Sequence, residues 1–271
     1  MRAKLLNGVF LELLEFAKQL ATNAGKIVRD GYYSELVVEK KAEMDFVTRI
    51  DRESEQFIRS EIAKKYPKHG FLGEESGSSD INAEYVWVVD PLDGTTNFIH
   101  KIPYFAVSIA LKHKGETIVG VVYNPMTDEM FYADKGKGAF MNENKLLVKK
   151  PGQFEKWFLA HCFRDISKHE EAERIVFDAF YYHVARVAKL GSAALELCYA
   201  ASSRVDGYIG LSLKEWDYAA GKLIVEEAGG SVMLDRLIGK DVIIAGERDA
   251  VSLMASKILH HNEFMDKHST G

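Results

Sequence analysis

Two aspartates three positions apart, Asp90 and Asp93, follow the apolar run Val86-Trp87-Val88-Val89 and precede Gly94-Thr95-Thr96. A β-rich run that stops on two carboxylates and then starts a helix presents hard anionic oxygens beside free backbone N–H groups. Mg2+ takes oxygen donors, usually one or two carboxylates with phosphate and water. The run therefore reads as a metal-and-phosphate site, with Asp90 and Asp93 on a loop beyond the strand. Taken alone it also reads as a turn, with Asp93 capping a helix that begins near Gly94. Other acids must converge on it to give it chemistry.

Three other segments supply them. Phe71-Leu72 runs into the acidic loop Gly73-Glu74-Glu75-Ser76. Asp45 and Asp51 flank the start of a helical pattern that passes through Ile58 and Ile62 and ends near Pro67. Asp217, in Lys214-Glu215-Trp216-Asp217-Tyr218, begins another helix, where it also reads as an N-cap. If Glu74, Asp90, Asp93 and Asp217 share a pocket, each pair about 4 Å apart repels by about 4 kcal/mol at an effective dielectric of about 20. A cation or bound protons must offset that. None of these segments carries His or Cys, so the donors suit Mg2+ or Mn2+ rather than zinc. Thr95 could then hold a water whose proton passes to Asp51, a general-base pair. With two metals, one activates that water and the other stabilises the leaving oxygen. The reaction implied is phosphomonoester hydrolysis by direct attack of water. An aspartyl-phosphate mechanism of the haloacid dehalogenase type fits less well, because its aspartates are spaced by one residue rather than two.

The elements that must position these groups can be traced from periodicity. An amphipathic helix over the first 25 residues packs on the body, its apolar positions interrupted by Glu12, Glu15 and Lys18. Residues 105–112, 116–123 and 129–133 alternate apolar and polar side chains and form an antiparallel meander. The basic stretch 145–150, closed by Pro151-Gly152, divides residues 1–150, an α+β half with most of the acids, from residues 151–271. That second, α/β half supplies Asp217. In it the pattern predicts strands at 157–161, 184–187, 205–211 and 242–245, and helices at 168–181, 192–203, 217–228 and 250–260.

Composition limits the alternatives. A net charge of −5 on 271 residues gives nucleic acid no broad basic surface as a main substrate. Hydrophobic residues at 47% and charged residues at 28% are those of a soluble globular chain. No apolar run reaches membrane-spanning length, and Cys162 and Cys198 stand singly, as reduced thiols in a cytoplasmic protein do. Neither a P-loop nor a dinucleotide fingerprint follows a strand.

Gly73-Glu74-Glu75, the run from Trp87 to Phe98, and Trp216-Asp217-Tyr218-Ala219-Ala220-Gly221 with Glu227-Ala228-Gly229-Gly230 together resemble the inositol monophosphatase family. The likeness spans nearly the whole chain. It implies a mixed α and β, five-layered αβαβα sandwich, two or three Mg2+ per site, lithium sensitivity and a homodimer. It also implies metal binding by Glu74, Asp90, the carbonyl of Leu92, Asp93 and Asp217, with Asp45 near a third metal. Thr95 and Asp51 match the water-activating pair, with Glu74 beside them. Gly94 and Thr95 match the phosphate-cradling amides, and Gly191-Ser192-Ala193 the segment lining the substrate ring. The substrate implied is inositol 1-phosphate or a similar small polyol or sugar phosphate, with fructose 1,6-bisphosphate and 3′-phosphoadenosine 5′-phosphate as alternatives. Ala188 and Gly210 depart from the family pattern, which often has Arg and Glu there. A reading of another class is a transcription-associated interaction protein with secondary catalysis.

Overall fold

A computed structural model of the chain describes residues 2–35, 38–42, 45–163, 170–237 and 239–268, with side chains at 11–35, 48–163, 170–237 and 239–261. Helices α1 (Arg2–Tyr32) and α2 (Arg49–Lys65) flank a small hairpin of β1 (Val38–Ala42) and β2 (Asp45–Thr48). Then come β3 (Gly70–Gly73), β4 (Gly77–Ser79), β5 (Tyr85–Asp93), α3 (Thr95–Ile99), β6 (Ala106–His113) and β7 (Glu116–Asn124). The strands β8 (Glu129–Asp134), β9 (Gly138–Met141) and β10 (Asn144–Lys145) complete an eight-stranded sheet of order β10-β9-β8-β7-β6-β5-β3-β4. It is antiparallel except where β3 pairs with β5.

The rest of the chain alternates: β11 (Phe158–Phe163), α4 (Glu170–Phe180), β12 (Arg186–Ala188), α5 (Ala193–Ala201), β13 (Gly207–Leu211) and α6 (Glu215–Glu227). It closes with β14 (Ser231–Leu237), β15 (Lys240–Gly246) and α7 (Arg248–His268). These strands make a five-stranded sheet of order β12-β11-β13-β15-β14.

Side-chain alternation along the strands explains the layering. On β6, Val107, Ile109 and Leu111 pack with Leu13, Leu20 and Val28 of α1 and Ile58 of α2. The alternate residues Ala106 and Ala110 face the other way, toward Ala219, Ala220 and Ile224 of α6 and Ala193 and Leu197 of α5. Tyr208 and Ile243 of the second sheet close that middle layer. Their neighbours Ile209 and Ile244 point outward onto Val176 of α4 and Met254 of α7. The order is helices, sheet, helices, sheet, helices, which is the expected αβαβα sandwich.

The middle layer is built from small residues. A Cβ on Gly120 of β7 would lie 2.7 Å from the carbonyl oxygen of Ala220, and one on Gly221 would lie 2.7 Å from Cβ of Leu197. Helix α6 therefore sits against both the sheet and α5, and it carries Asp217 into the site.

Several boundaries differ from those expected. Strand β5 does not stop before the acids but continues through Pro91 to Asp93, with a register shift against β6 between Asp90 and Asp93. The bulge absorbs the missing proline N–H. Strand β14 was not foreseen, because its residues are partly or fully exposed except Leu237 and lack a buried apolar run. Strand β12 begins later than predicted, and α7 extends past the expected end. The predicted helix start at 168 lies outside the described residues. Among those described, no helix is long and apolar enough to cross a membrane.

At the far end of β5, the Trp87 indole N–H donates to Nδ1 of His69 at 3.1 Å, and His69 stacks between Tyr66 and Tyr85. The bond requires a lone pair on Nδ1, so the imidazole is neutral with its proton on Nε2. Burial holds its pKa below the ordinary 6.5. The stabilisation is complete above 6.5 and declines as the pH falls through the lowered folded-state value. Denaturation midpoints should fall on mild acidification, and His69→Phe should remove that part of the decline.

Candidate active site

Helix α2 begins at a capping box. Thr48 is the N-cap and accepts from Ile50 N, while Oδ2 of Asp51 accepts from Thr48 N (2.8 Å) and Thr48 Oγ1 (2.6 Å). The other carboxylate oxygen, Oδ1, accepts from Thr95 Oγ1 at 3.0 Å. Thr95 Oγ1 also lies 3.0 Å from the Leu92 carbonyl. Asp51 is 2% exposed. Burial holds its carboxyl above the ordinary value, with the Thr48 and Thr95 hydrogen bonds opposing and the Glu74 charge adding.

The chain reaches Thr95 through Gly94, whose φ of +100° lies in the left-handed region that glycine adopts without strain. A Cβ there would stand 3.0 Å from the Gly191 carbonyl oxygen. Gly94 is the N-cap of α3, which is only five residues long, so its N–H groups rather than a helix dipole would meet an anion.

The carboxylates of Asp90, Asp93 and Asp217 are each held by donors of the protein. Oδ1 of Asp90 accepts from Leu92 N at 3.0 Å. Asp93 does not cap α3. Its Oδ2 instead reaches α5, accepting from Ser192 Oγ (2.6 Å) and Ala194 N (2.7 Å). Asp217 is not an N-cap either: Lys214 holds that position, and Oδ2 of Asp217, the third residue of α6, accepts from Lys214 N at 2.7 Å. Glu74 follows β3, and its N–H donates to the Val89 carbonyl at 3.3 Å. Burial first, and then the charges of Asp217 and Glu74, push the Asp93 pKa up to about 7 against its hydrogen bonds from Ser192 and Ala194. Asp93 therefore feels the charges of both Asp217 and Glu74, and Asp51 feels Glu74 in the same way.

Among the described residues, no three Asp, Glu, His or Cys side chains stand close enough to chelate an ion as they are. The donor set nevertheless fits a hard divalent cation. It is all oxygen, three of its carboxylates are fixed by protein hydrogen bonds, and the raised Asp93 marks a point where positive charge would be stabilised. The side chain of Asp45 lies outside those described.

The Gly191-Ser192-Ala193 segment is anchored rather than open. Gly191 has φ +96°, and a Cβ there would meet Asn97 Nδ2 at 2.7 Å. The Asn97 amide donates to the carbonyls of Tyr104 and Leu190, both at 2.8 Å. Ser192 and Ala193 are 1% and 2% exposed, so within this segment only Gly191 reaches the surface. Ser192 caps α5, accepting from Leu195 N while donating to Asp93. Ser192→Ala should cost about 1 kcal/mol of stability in urea denaturation, the usual loss for an N-cap. At Gly210 a Cβ would lie 2.4 Å from Cγ2 of Ile243 and 3.1 Å from the Tyr208 hydroxyl. Any side chain at 210 would therefore require Ile243, Leu213 or Tyr208 to shift.

Sequence reasoning overlooked Thr48, Ser54, Glu55, Asn97 and Glu196. Ser54 Oγ donates to the Pro91 carbonyl, Glu55 binds the amides of Glu75 and Ser76, and Glu196 binds those of Leu190 and Gly191. Spacing carried a signal in two cases, since Asp51 and Glu55, like Ser192 and Glu196, lie one helical turn apart.

This sandwich, with acids at the ends of β3 and β5 and on α6, matches a known class of fold. The model of the inositol monophosphatase family matches residues 11–259, and the chain belongs to that family. It is 40% identical over 254 residues to "Nus factor SuhB" of Vibrio cholerae, covering 92% of this chain and 95% of that one. Among solved structures, the extragenic suppressor protein suhB of Bartonella henselae superposes with a TM-score of 0.85 at 37% identity, covering 91% of this chain and 98% of that one. Inositol monophosphatase from Anabaena gives 0.80 at 32% identity, covering 92% and 96%.

Proposed function

We propose that this protein is a Mg2+-dependent phosphomonoesterase that hydrolyses inositol 1-phosphate or a similar small polyol or sugar phosphate by direct attack of water. The observation that carries the reading is the hydroxyl of Thr95, bonded to buried Asp51 where β5 delivers Asp90 and Asp93. Glu74, Asp90, the Leu92 carbonyl, Asp93 and Asp217 would hold the metal, with Asp45 near a further one. Bound Mg2+, for which Mn2+ is a chemical substitute, lowers the pKa of the attacking water and stabilises the leaving oxygen.

The chain's own groups do the rest. Thr95 Oγ1 accepts a proton of the attacking water as its own proton passes to Asp51 Oδ1. Thr48 keeps Asp51 in place by bonding its other oxygen. The N–H groups of Gly94 and Thr95 orient the phosphate, and the Gly191-Ser192-Ala193 segment borders the alcohol through Gly191. With Gly210 lacking a side chain, ring hydroxyls meet no carboxylate there. This leaves fructose 1,6-bisphosphate and 3′-phosphoadenosine 5′-phosphate as alternative substrates. Lithium inhibition, a homodimer and a cytoplasmic location belong to the same reading.

Phosphate release from a panel of polyol, sugar bisphosphate and nucleotide substrates, with Mg2+ and then with chelator, tests the proposal. Turnover of one class that stops on chelation supports it; no Mg2+-dependent turnover of any class rejects it.

The name of the Vibrio relative favours a second reading, in which this chain also joins a transcription complex. A pull-down with the Asp90→Asn variant separates the two, because a scaffold role survives the loss of metal binding.

A further inference from the structure

We infer that Glu55 is the positioning residue for Glu74, so that helix α2 sets how tightly the site binds its divalent cation. The inference rests on the proposed role of Glu74 as a metal ligand. Glu55 lies one turn beyond Asp51 on α2 and is 2% exposed. Its Oε2 accepts from Glu75 N at 2.9 Å and its Oε1 from Ser76 N at 2.6 Å. Both oxygens of one buried carboxylate are thus bonded to the two amides that directly follow Glu74.

The contact is fitted on the near side as well. A Cβ on Gly73 would fall 2.4 Å from Glu55 Oε2 and 2.7 Å from its Cδ, so the carboxylate occupies the space a side chain at 73 would need. With Glu74 N bonded to the Val89 carbonyl, the segment is gripped between β5 and α2. The same face of α2 reaches Thr95 through Asp51 and the Pro91 carbonyl through Ser54. One helix face therefore registers the Glu74 loop against the strand that carries Asp90 and Asp93. Ligands oriented by such supporting bonds lose metal affinity when the support is removed.

Glu55→Gln keeps the volume but replaces one acceptor oxygen with an NH2 group that faces an N–H donor. Mn2+ titration of the full chain, followed by electron paramagnetic resonance, should show binding weakened about tenfold or more. The Mg2+ needed for half-maximal phosphate release should rise by a similar factor. Glu55→Asp keeps both acceptors on a shorter stem and should fall between wild type and Glu55→Ala, which carries the test if the Gln variant does not fold. Glu61→Gln, on an exposed residue of the same helix paired with Lys64, should bind Mn2+ as wild type does.

Wild-type Mn2+ affinity in Glu55→Gln, even with a lower melting temperature, would reduce Glu55 to a structural residue and overturn the inference while leaving the phosphatase reading intact. A wild-type protein that binds no Mn2+ would remove the metal reading itself, and the inference with it.

Discussion

Thr95→Ala is expected to lower kcat for phosphate release by about 10²- to 10⁴-fold, the range that positioned general acid–base groups contribute. The Michaelis constant should move little, because the backbone N–H groups of Gly94 and Thr95 remain. The fold should persist, since Asp51 keeps both bonds from Thr48 and Thr95 is only partly buried. Thr95→Ser restores a hydroxyl at the same place and should recover most of the rate. Steady-state kinetics at saturating Mg2+ decides the matter: a loss confined to the Michaelis constant would make Thr95 a binding residue and leave Asp51 without its assigned role.

Gly120→Ala should destabilise the protein by about 1–3 kcal/mol, as overpacking of a filled interior does. The new methyl would stand 2.7 Å from the carbonyl oxygen of Ala220 and 3.1 Å from its Cα. Both are backbone atoms, so no rotamer change can relieve the contact and α6 must lift from β7. Asp217 lies three residues before Ala220 on that helix, so phosphate release should also need more Mg2+. A chemical denaturation midpoint equal to wild type would mean that the middle layer has slack.

The candidate acids were legible in the sequence because each lies at or just past the end of an apolar strand or in the first turn of a helix, and those junctions are local signals. The meander was legible for the same reason, since β6 to β8 alternate cleanly around short turns. What local pattern could not give was partnership across the chain. Asp93 and Asp217 both fit the composition of a helix cap, yet one reaches a different helix and the other sits inside its own. Glu55 and Glu196 look like ordinary charged positions on helices, and only the fold shows each buried with two backbone amides as partners. Strand β14 was missed because a partly exposed strand carries little hydrophobic contrast.

The hydrogen bond from Ser192 to Asp93 joins residues 99 positions apart. During synthesis, Asp90, Asp93 and Thr95 leave the ribosome long before the amide and hydroxyl that restrain Asp93 exist. A nascent chain halted ahead of Ser192 would carry most of the acids yet lack the clasp that orients one of them. Competence of the pocket therefore arrives late in translation, and a fragment ending before that clasp should be inert even where its first sheet is folded.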